Sequence, residues 1–386
     1  MTTRDDLFLP LFNRYPVTFT RGEGVWLYDA DGKAYLDFMA GIAVNLLGHA
    51  HPALVEAISE QASKVLHTTN LFWTEPVVAA AEAIVSHLPG GRVFFCNSGT
   101  EANEAAIKFV RKHAWRMGET ERREIVAVEG SFHGRTLGSL SLTIQPKKWE
   151  GFAPLPGDVV PVAFDDVDAL DAAVSDRTAA VFIEPIQGES GIRPMSDAFV
   201  DAVRKLTSER GALFVADEVQ TGMGRTGSWW GFEHYGVTPD VVTLAKGLAG
   251  GVPMGALWAA DAFANAFQPS DHATTQGGNP LACAACAAVF ATLEKENLVA
   301  NAKVVGGELR GALEGFGYEV RGRGLLLAVE LGREVSSAVV RSALAHGLIV
   351  NDVNPTSVRF APPLIVTADD AHEAAARFHA AVKDVA

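Results

Sequence analysis

Short, uninterrupted apolar runs recur along the chain, and helical patterns fill the intervals between them. The runs are RVFFC (92–96), IVAV (125–128), AAVFI (179–183), LFVAD (213–217) and VVTLA (241–245). Runs rich in Val, Ile and Phe, bounded by turn residues, predict strands buried on both faces. Their alternation with helices from about residue 50 predicts an α/β domain on a mainly parallel sheet. Upstream, turn residues 29–32 separate GVWLY from AYLDF, which predicts a hairpin within an N-terminal arm. After about residue 295 the texture changes. A polar helix over 294–316, the strand-like YEVRGRGLLLAVEL, another helix, LIVNDV, VRFAPPL and a C-terminal helix predict a smaller α+β domain. The expected division is an arm over 1–50 that joins the small domain, a large domain over 51–290 and a C-terminal small domain over 291–386.

Composition narrows the partners. At 386 residues, 48% hydrophobic and 20% charged, the chain builds a core without disulfide or metal staples, and no metal site is expected. The formal net charge of −14 argues against a nucleic-acid partner, because phosphate backbones select basic surfaces. The three cysteines, Cys96, Cys283 and Cys286, are an odd and sparse set that suits a reducing compartment. Cys283 and Cys286 form a lone CxxC in an Ala-rich stretch without a second ligand pair, which reads as helical packing. The start, MTTRDDLFLPLF, is acidic early and lacks a long apolar run, so no secretory signal is expected. The uncharged run from His272 to Leu293 contains Gln, Asn and Pro, which leaves its apolar part too short to span a bilayer. A cytoplasmic location is expected.

In an open α/β sheet, ligands bind beyond the carboxyl ends of the strands. Three of the apolar runs end there in unusual polar residues. After RVFFC the chain turns through Asn97, Ser98, Gly99 and Thr100 into a helix, with Ser98 and Glu101 spaced as a capping box. Gly99 permits close backbone approach, and free amides at a helix start attract an anion such as phosphate, although an ordinary capped helix reads the same way. LFVAD ends in the adjacent carboxylates Asp217 and Glu218, of which only one can face a given site. A carboxylate at a buried strand end needs a partner, whether a protonated ring nitrogen or a structural Arg. VVTLA ends at Lys246 before a Gly-rich turn. Burial lowers a lysine's pKa and makes a competent amine nucleophile, while an isolated strand-end lysine more commonly snorkels to solvent. Together these features offer an anion cradle, an acid and an amine, matching the phosphate, pyridine nitrogen and aldehyde of pyridoxal 5′-phosphate (PLP).

The ordered motifs SGTEANEAAIK, FHGRT, EPIQGE, DEVQTG, LAKG and GGNPLACA resemble those of the class III (ω-amino) aminotransferases of PLP fold type I. The resemblance runs from about residue 15 to the end. It implies a large domain with a seven-stranded-type, mainly parallel sheet and a smaller α+β domain. It also implies a role for each motif residue. Lys246 holds the cofactor's aldehyde and shuttles a proton, and Asp217, rather than Glu218, pairs with the ring nitrogen. Val219 and Phe132 pack on the two ring faces, and Gln220 lies near the ring hydroxyl. Ser98, Gly99 and Thr100 form the phosphate cradle, which Thr275 completes from a partner subunit, so a homodimer with shared sites is implied.

For the substrate, the resemblance implies that Arg135 grips a distal carboxylate. Arg359, in VRFAPPL, takes a second carboxylate, and Glu189 pairs with Arg359 during the amine-donor half-reaction. The segments AGIAVNLLGHAHPAL, LAKGLAGGVPMGAL and RGRGLLLAVEL fit the subgroup that serves arginine biosynthesis. Its members pass the δ-amine of N2-acetyl-L-ornithine to 2-oxoglutarate. Succinylornithine, ornithine and 4-aminobutyrate are the donors of sister enzymes, and an aminomutase is a further relative. Two positions depart from the related patterns. Phe12 stands where ornithine-type enzymes place a tyrosine, and Gln276 where an aromatic residue is common. A literal GxGxxG at Gly222, Gly224 and Gly227 raises a dinucleotide-binding reading, but the following SWWGF has no helical period.

Overall fold

A computed structural model describes residues 7–385; the acidic first six residues of the arm, on which the expected absence of a signal partly rests, lie outside it, as does Ala386. In the N-terminal region, β1 (Phe19–Glu23), β2 (Trp26–Asp29) and β3 (Ala34–Asp37) form an antiparallel meander, so the hairpin around residues 29–32 forms as expected.

The five apolar runs become β4 (Arg92–Cys96), β5 (Glu124–Val128), β7 (Thr178–Ile183), β10 (Leu213–Asp217) and β11 (Val241–Leu244). Two further strands were not legible in the pattern, β6 (Val159–Val162) and β12 (Gly255–Ala259). β6 is an edge strand, where its Pro161 removes no central ladder bond. Between β7 and β10 lies a minimal antiparallel pair, β8 (Ile186–Gln187) and β9 (Arg193–Pro194). The large sheet has seven strands in the order β4-β12-β11-β10-β7-β5-β6. β12 runs antiparallel to both neighbours, and all other pairings are parallel. Alternate residues feed two cores. Val126, Val181 and Phe214 pack on one face, and Ile125, Phe182, Leu213 and Val215 on the other.

The C-terminal region carries β13 (Glu319–Arg323), β14 (Leu326–Glu330), β15 (Leu348–Ile349), β16 (Asn351–Asn354) and β17 (Ser357–Phe360). Four of them form an antiparallel sheet ordered β13-β14-β17-β16, while β15 pairs in parallel with β3 of the arm. The strand-like YEVRGRGLLLAVEL is thus a hairpin, turning where Gly324 has φ +54°. The expected helix over 294–316 is corrected. The preceding helix, Pro280–Lys295, runs through Glu294, and Asn297 in a left-handed conformation starts a separate helix, Leu298–Gly315. Cys283 and Cys286 are buried and free on the first of these helices, as the packing reading expected.

Candidate active site

The carboxyl ends of β4, β7, β10 and β11 converge on a cavity of about 410 Å³. After β4, Ser98 caps the helix Gly99–Arg116 by accepting from the Glu101 amide at 3.3 Å. The reciprocal half of the expected capping box is displaced by one residue. Glu101 Oε2 accepts from the Asn97 amide at 2.6 Å instead of from that of Ser98. The Gly99 and Thr100 amides belong to the first turn, where no intrahelical acceptor is available. A Cβ on Gly99 would stand 2.9 Å from Val219 Cγ1, so glycine is needed here for close approach rather than for a turn. Thr100 Oγ1 lies 2.9 Å from Thr136 Oγ1, and the Arg135 amide donates to it at 3.3 Å.

Strand parity separates the two adjacent carboxylates. Leu213, Val215 and Asp217 share one face of β10, toward the helix that starts at Gly99. Asp217 Oδ2 accepts from Asn103 Nδ2 at 2.8 Å and from His133 Nδ1 at 2.7 Å, and Oδ1 accepts from the Val219 amide at 3.0 Å. Glu218 turns away from the cavity. It accepts from the amides of Gly231 and Phe232, both at 2.8 Å, and from Thr221 Oγ1 at 2.6 Å. Burial outweighs these donors and raises the Glu218 pKa to about 7.

Lys246 follows β11 and lines the same cavity. Its φ of +45° lies in the left-handed region, uncommon for a residue with a Cβ and frequent at functional positions. Burial depresses its pKa, with Glu189 opposing and Arg359 assisting. The Gly222–Gly227 segment is followed by turns and a short 3₁₀ stretch (Gly231–Tyr235), without the helix that a dinucleotide site requires.

Arg359 on β17 is fully buried, with Val358 and Phe360 packed in the main core. Its Nη1 donates to Glu189 Oε1 at 2.6 Å and to Gln220 Oε1 at 2.9 Å, and its Nε to Asn351 Oδ1 at 3.2 Å. Its Nη2 is buried without a partner. Burial alone would raise the Glu189 pKa; the Arg359 charge, and after it Lys246, reverse this and hold the carboxyl at about 2.

Ten of the twelve residues marked by the sequence line this one cavity: Ser98, Gly99, Thr100, Phe132, Arg135, Glu189, Asp217, Val219, Gln220 and Lys246. Arg359 lies directly behind Glu189 and Gln220. Thr275 does not join them; it is exposed, on the turn before the helix Pro280–Lys295. Phe12 is 71% exposed and is not part of the lining, and Gln276 contributes its carbonyl to Asn279 at 2.9 Å. Sequence reasoning missed Asn103, His133 and Glu184. Asn103 sits one turn after Gly99 and His133 directly after Phe132, so position within the motifs was the available signal. Glu184 accepts from the amides of Phe132 at 2.9 Å and Gly188 at 3.0 Å, and burial raises its pKa to about 7.

A family profile described as Aminotransferase class-III matches residues 12–382. The acetylornithine aminotransferase of Caldanaerobacter subterraneus subsp. tengcongensis is 47% identical over 380 residues, covering 97% of this chain and 96% of that protein. That of Mycolicibacterium smegmatis is 50% identical over 365 residues, 92% of each chain. Among solved structures, an ornithine aminotransferase from Toxoplasma gondii, described with partial occupancy of PLP at its active site, superposes with a TM-score of 0.94. It is 30% identical and covers 100% of this chain and 96% of that one.

Proposed function

The chain belongs to the class-III aminotransferases, and we propose that it passes the δ-amino group of N2-acetyl-L-ornithine to 2-oxoglutarate, giving N-acetyl-L-glutamate 5-semialdehyde and L-glutamate. The cofactor is PLP, which when bound supplies the aldehyde that takes the amino group and a ring that accepts carbanion charge. The residues present fit this group. The Gly99 and Thr100 amides are free for a phosphate, the buried Asp217 carboxylate suits a ring nitrogen, and the depressed Lys246 amine suits an aldehyde.

Lys246 Nζ holds the cofactor and moves the proton from the donor's δ-carbon. Asp217, oriented by His133, Asn103 and the Val219 amide, keeps the ring nitrogen protonated. Val219 and Phe132 confine the ring, with Gln220 and Ser98 beside it. Arg135 grips the carboxylate remote from the reacting amine. Thr275 completes the phosphate cradle from a second copy, which makes the enzyme a homodimer. Among the described residues no helix is long and apolar enough to cross a membrane, which accords with a cytoplasmic enzyme of arginine biosynthesis.

The observation that carries this reading is the Glu189–Arg359 pair beside Lys246. A donor that reacts at an ω-amine brings no carboxylate to that point, so the pair stays closed. Glutamate reacts next to its α-carboxylate, so Glu189 must yield Arg359 to it. Incubation of holoenzyme with N2-acetylornithine and 2-oxoglutarate should yield glutamate and the semialdehyde in equal amounts over many turnovers. Omission of 2-oxoglutarate should abolish glutamate and limit the semialdehyde to one equivalent per active site. Multiple turnover without 2-oxoglutarate would instead indicate an enzyme that needs no second substrate, such as an aminomutase.

A further inference from the structure

Arg135 and Lys148 hold two positive charges against one aromatic ring. The Arg135 Cζ lies 5.4 Å from the Phe132 ring centre and Lys148 Nζ 5.9 Å from it. Neither side chain forms an ion pair with a carboxylate among the described residues. Nor is Lys148 a free surface lysine. It ends the short turn Pro146–Lys148, and the residues on either side of that turn are clamped. Gln145 Nε2 donates to the carbonyls of Gly130 at 3.2 Å and Ser131 at 3.0 Å. Trp149 Nε1 donates to those of Leu140 at 3.0 Å and Thr143 at 2.9 Å. These anchors are the segments flanking Phe132 and Arg135, so the turn that carries Lys148 is tied to the backbone on either side of those two residues. Burial and then the Arg135 charge depress the Lys148 pKa, while Glu189 supports it. Two like charges beside one ring repel each other, and an anion bound between them relieves that repulsion. The nearby Glu189 is already committed to Arg359.

We propose that Lys148 is a second cation of the substrate site and binds, with Arg135, the carboxylate remote from the reacting amine. That carboxylate is the α-carboxylate of N2-acetylornithine and the γ-carboxylate of glutamate and 2-oxoglutarate. Arg135 contributes a planar fork and Lys148 a point charge, so the two approach one carboxylate from different directions. The inference rests on the aminotransferase reading above and deepens it by naming a determinant of substrate class.

The test compares wild type, Lys148→Met and Lys148→Arg as holoenzymes, by half-reaction kcat/KM for two substrate pairs. Glutamate is paired with 2-aminopentanoate, which has a methyl in place of the γ-carboxylate. N2-acetylornithine is paired with N-acetylputrescine, the same amine without its carboxylate. K148M should lower the preference for the carboxylate-bearing member by about tenfold in both pairs, chiefly through KM, as expected for loss of one charged contact. K148R should retain most of the preference. An unchanged preference in the glutamate pair, or equal losses on both of its members, overturns the proposal. Failure of wild type on N2-acetylornithine with normal glutamate turnover overturns the donor assignment instead, and the glutamate pair still decides the role of Lys148.

Discussion

Arg359 donates through Nη1 to Glu189 Oε1 at 2.6 Å while its Nη2 stays buried and unpaired, so half of the guanidinium fork is open. Glu189 therefore competes with any carboxylate that would take Arg359 bidentately. Glu189→Gln removes the competing charge. The KM for glutamate should fall several-fold, and the preference for N2-acetylornithine over glutamate should drop by roughly tenfold. Half-reaction kinetics with each substrate check this, and an unchanged preference removes Glu189 from its role.

Asp217 collects three donors in a buried setting, an arrangement that fixes the carboxylate in one orientation. Asp217→Asn keeps the shape and removes the charge. Turnover should fall by about 10²- to 10³-fold with the fold intact and PLP still bound. Steady-state kinetics with thermal unfolding of the same preparation measure this; a variant within fivefold of wild type contradicts the assignment.

Glu218 supplies the pH prediction. Burial raises its pKa from the ordinary 4.5 to about 7, so the folded protein holds this proton where the unfolded chain has released it. The associated stability is fully present below 4.5 and is lost as pH rises through about 7. Glu218→Gln has no such proton to lose. Whatever its stability at pH 5, it should gain on wild type by about 1–3 kcal/mol by pH 8. Denaturant unfolding at both pH values checks the sign, and a constant difference refutes it.

Thr275 is exposed and apart from its own chain's cavity, which suits a contribution to the site of a second copy. Thr275→Val should weaken PLP binding by about tenfold, the effect of one lost hydrogen bond to a charged group. Titration of apoenzyme with PLP, followed by absorbance, measures it, and unchanged affinity argues against the shared site.

Much of this was legible because strands buried on both faces write themselves as apolar runs, and their polar terminators stand out. Lys246 and the adjacent pair Asp217 and Glu218 were visible on that ground, and the family resemblance alone chose Asp217. The Asp217 partners were not, since Asn103 and His133 lie 114 and 84 residues away and reveal their role only when the sheet and helix meet. β12 escaped for a related reason. Its Gly255 resembles turn punctuation, yet a Cβ there would stand 2.3 Å from the Ser98 carbonyl oxygen, so the glycine makes room for the neighbouring Ser98 backbone rather than forming a turn. The helix break at Asn297 was hidden because an unbroken helical pattern does not record a single left-handed residue.

The identity of the amine donor is read from a single half-reaction. Purified holoenzyme, without 2-oxoglutarate, is mixed separately with N2-acetylornithine, succinylornithine, ornithine and 4-aminobutyrate while the absorbance of bound PLP is followed. Bleaching should be fastest with N2-acetylornithine and should recover fully on adding 2-oxoglutarate. Faster bleaching by another donor, or no recovery with 2-oxoglutarate, would contradict the proposed reaction.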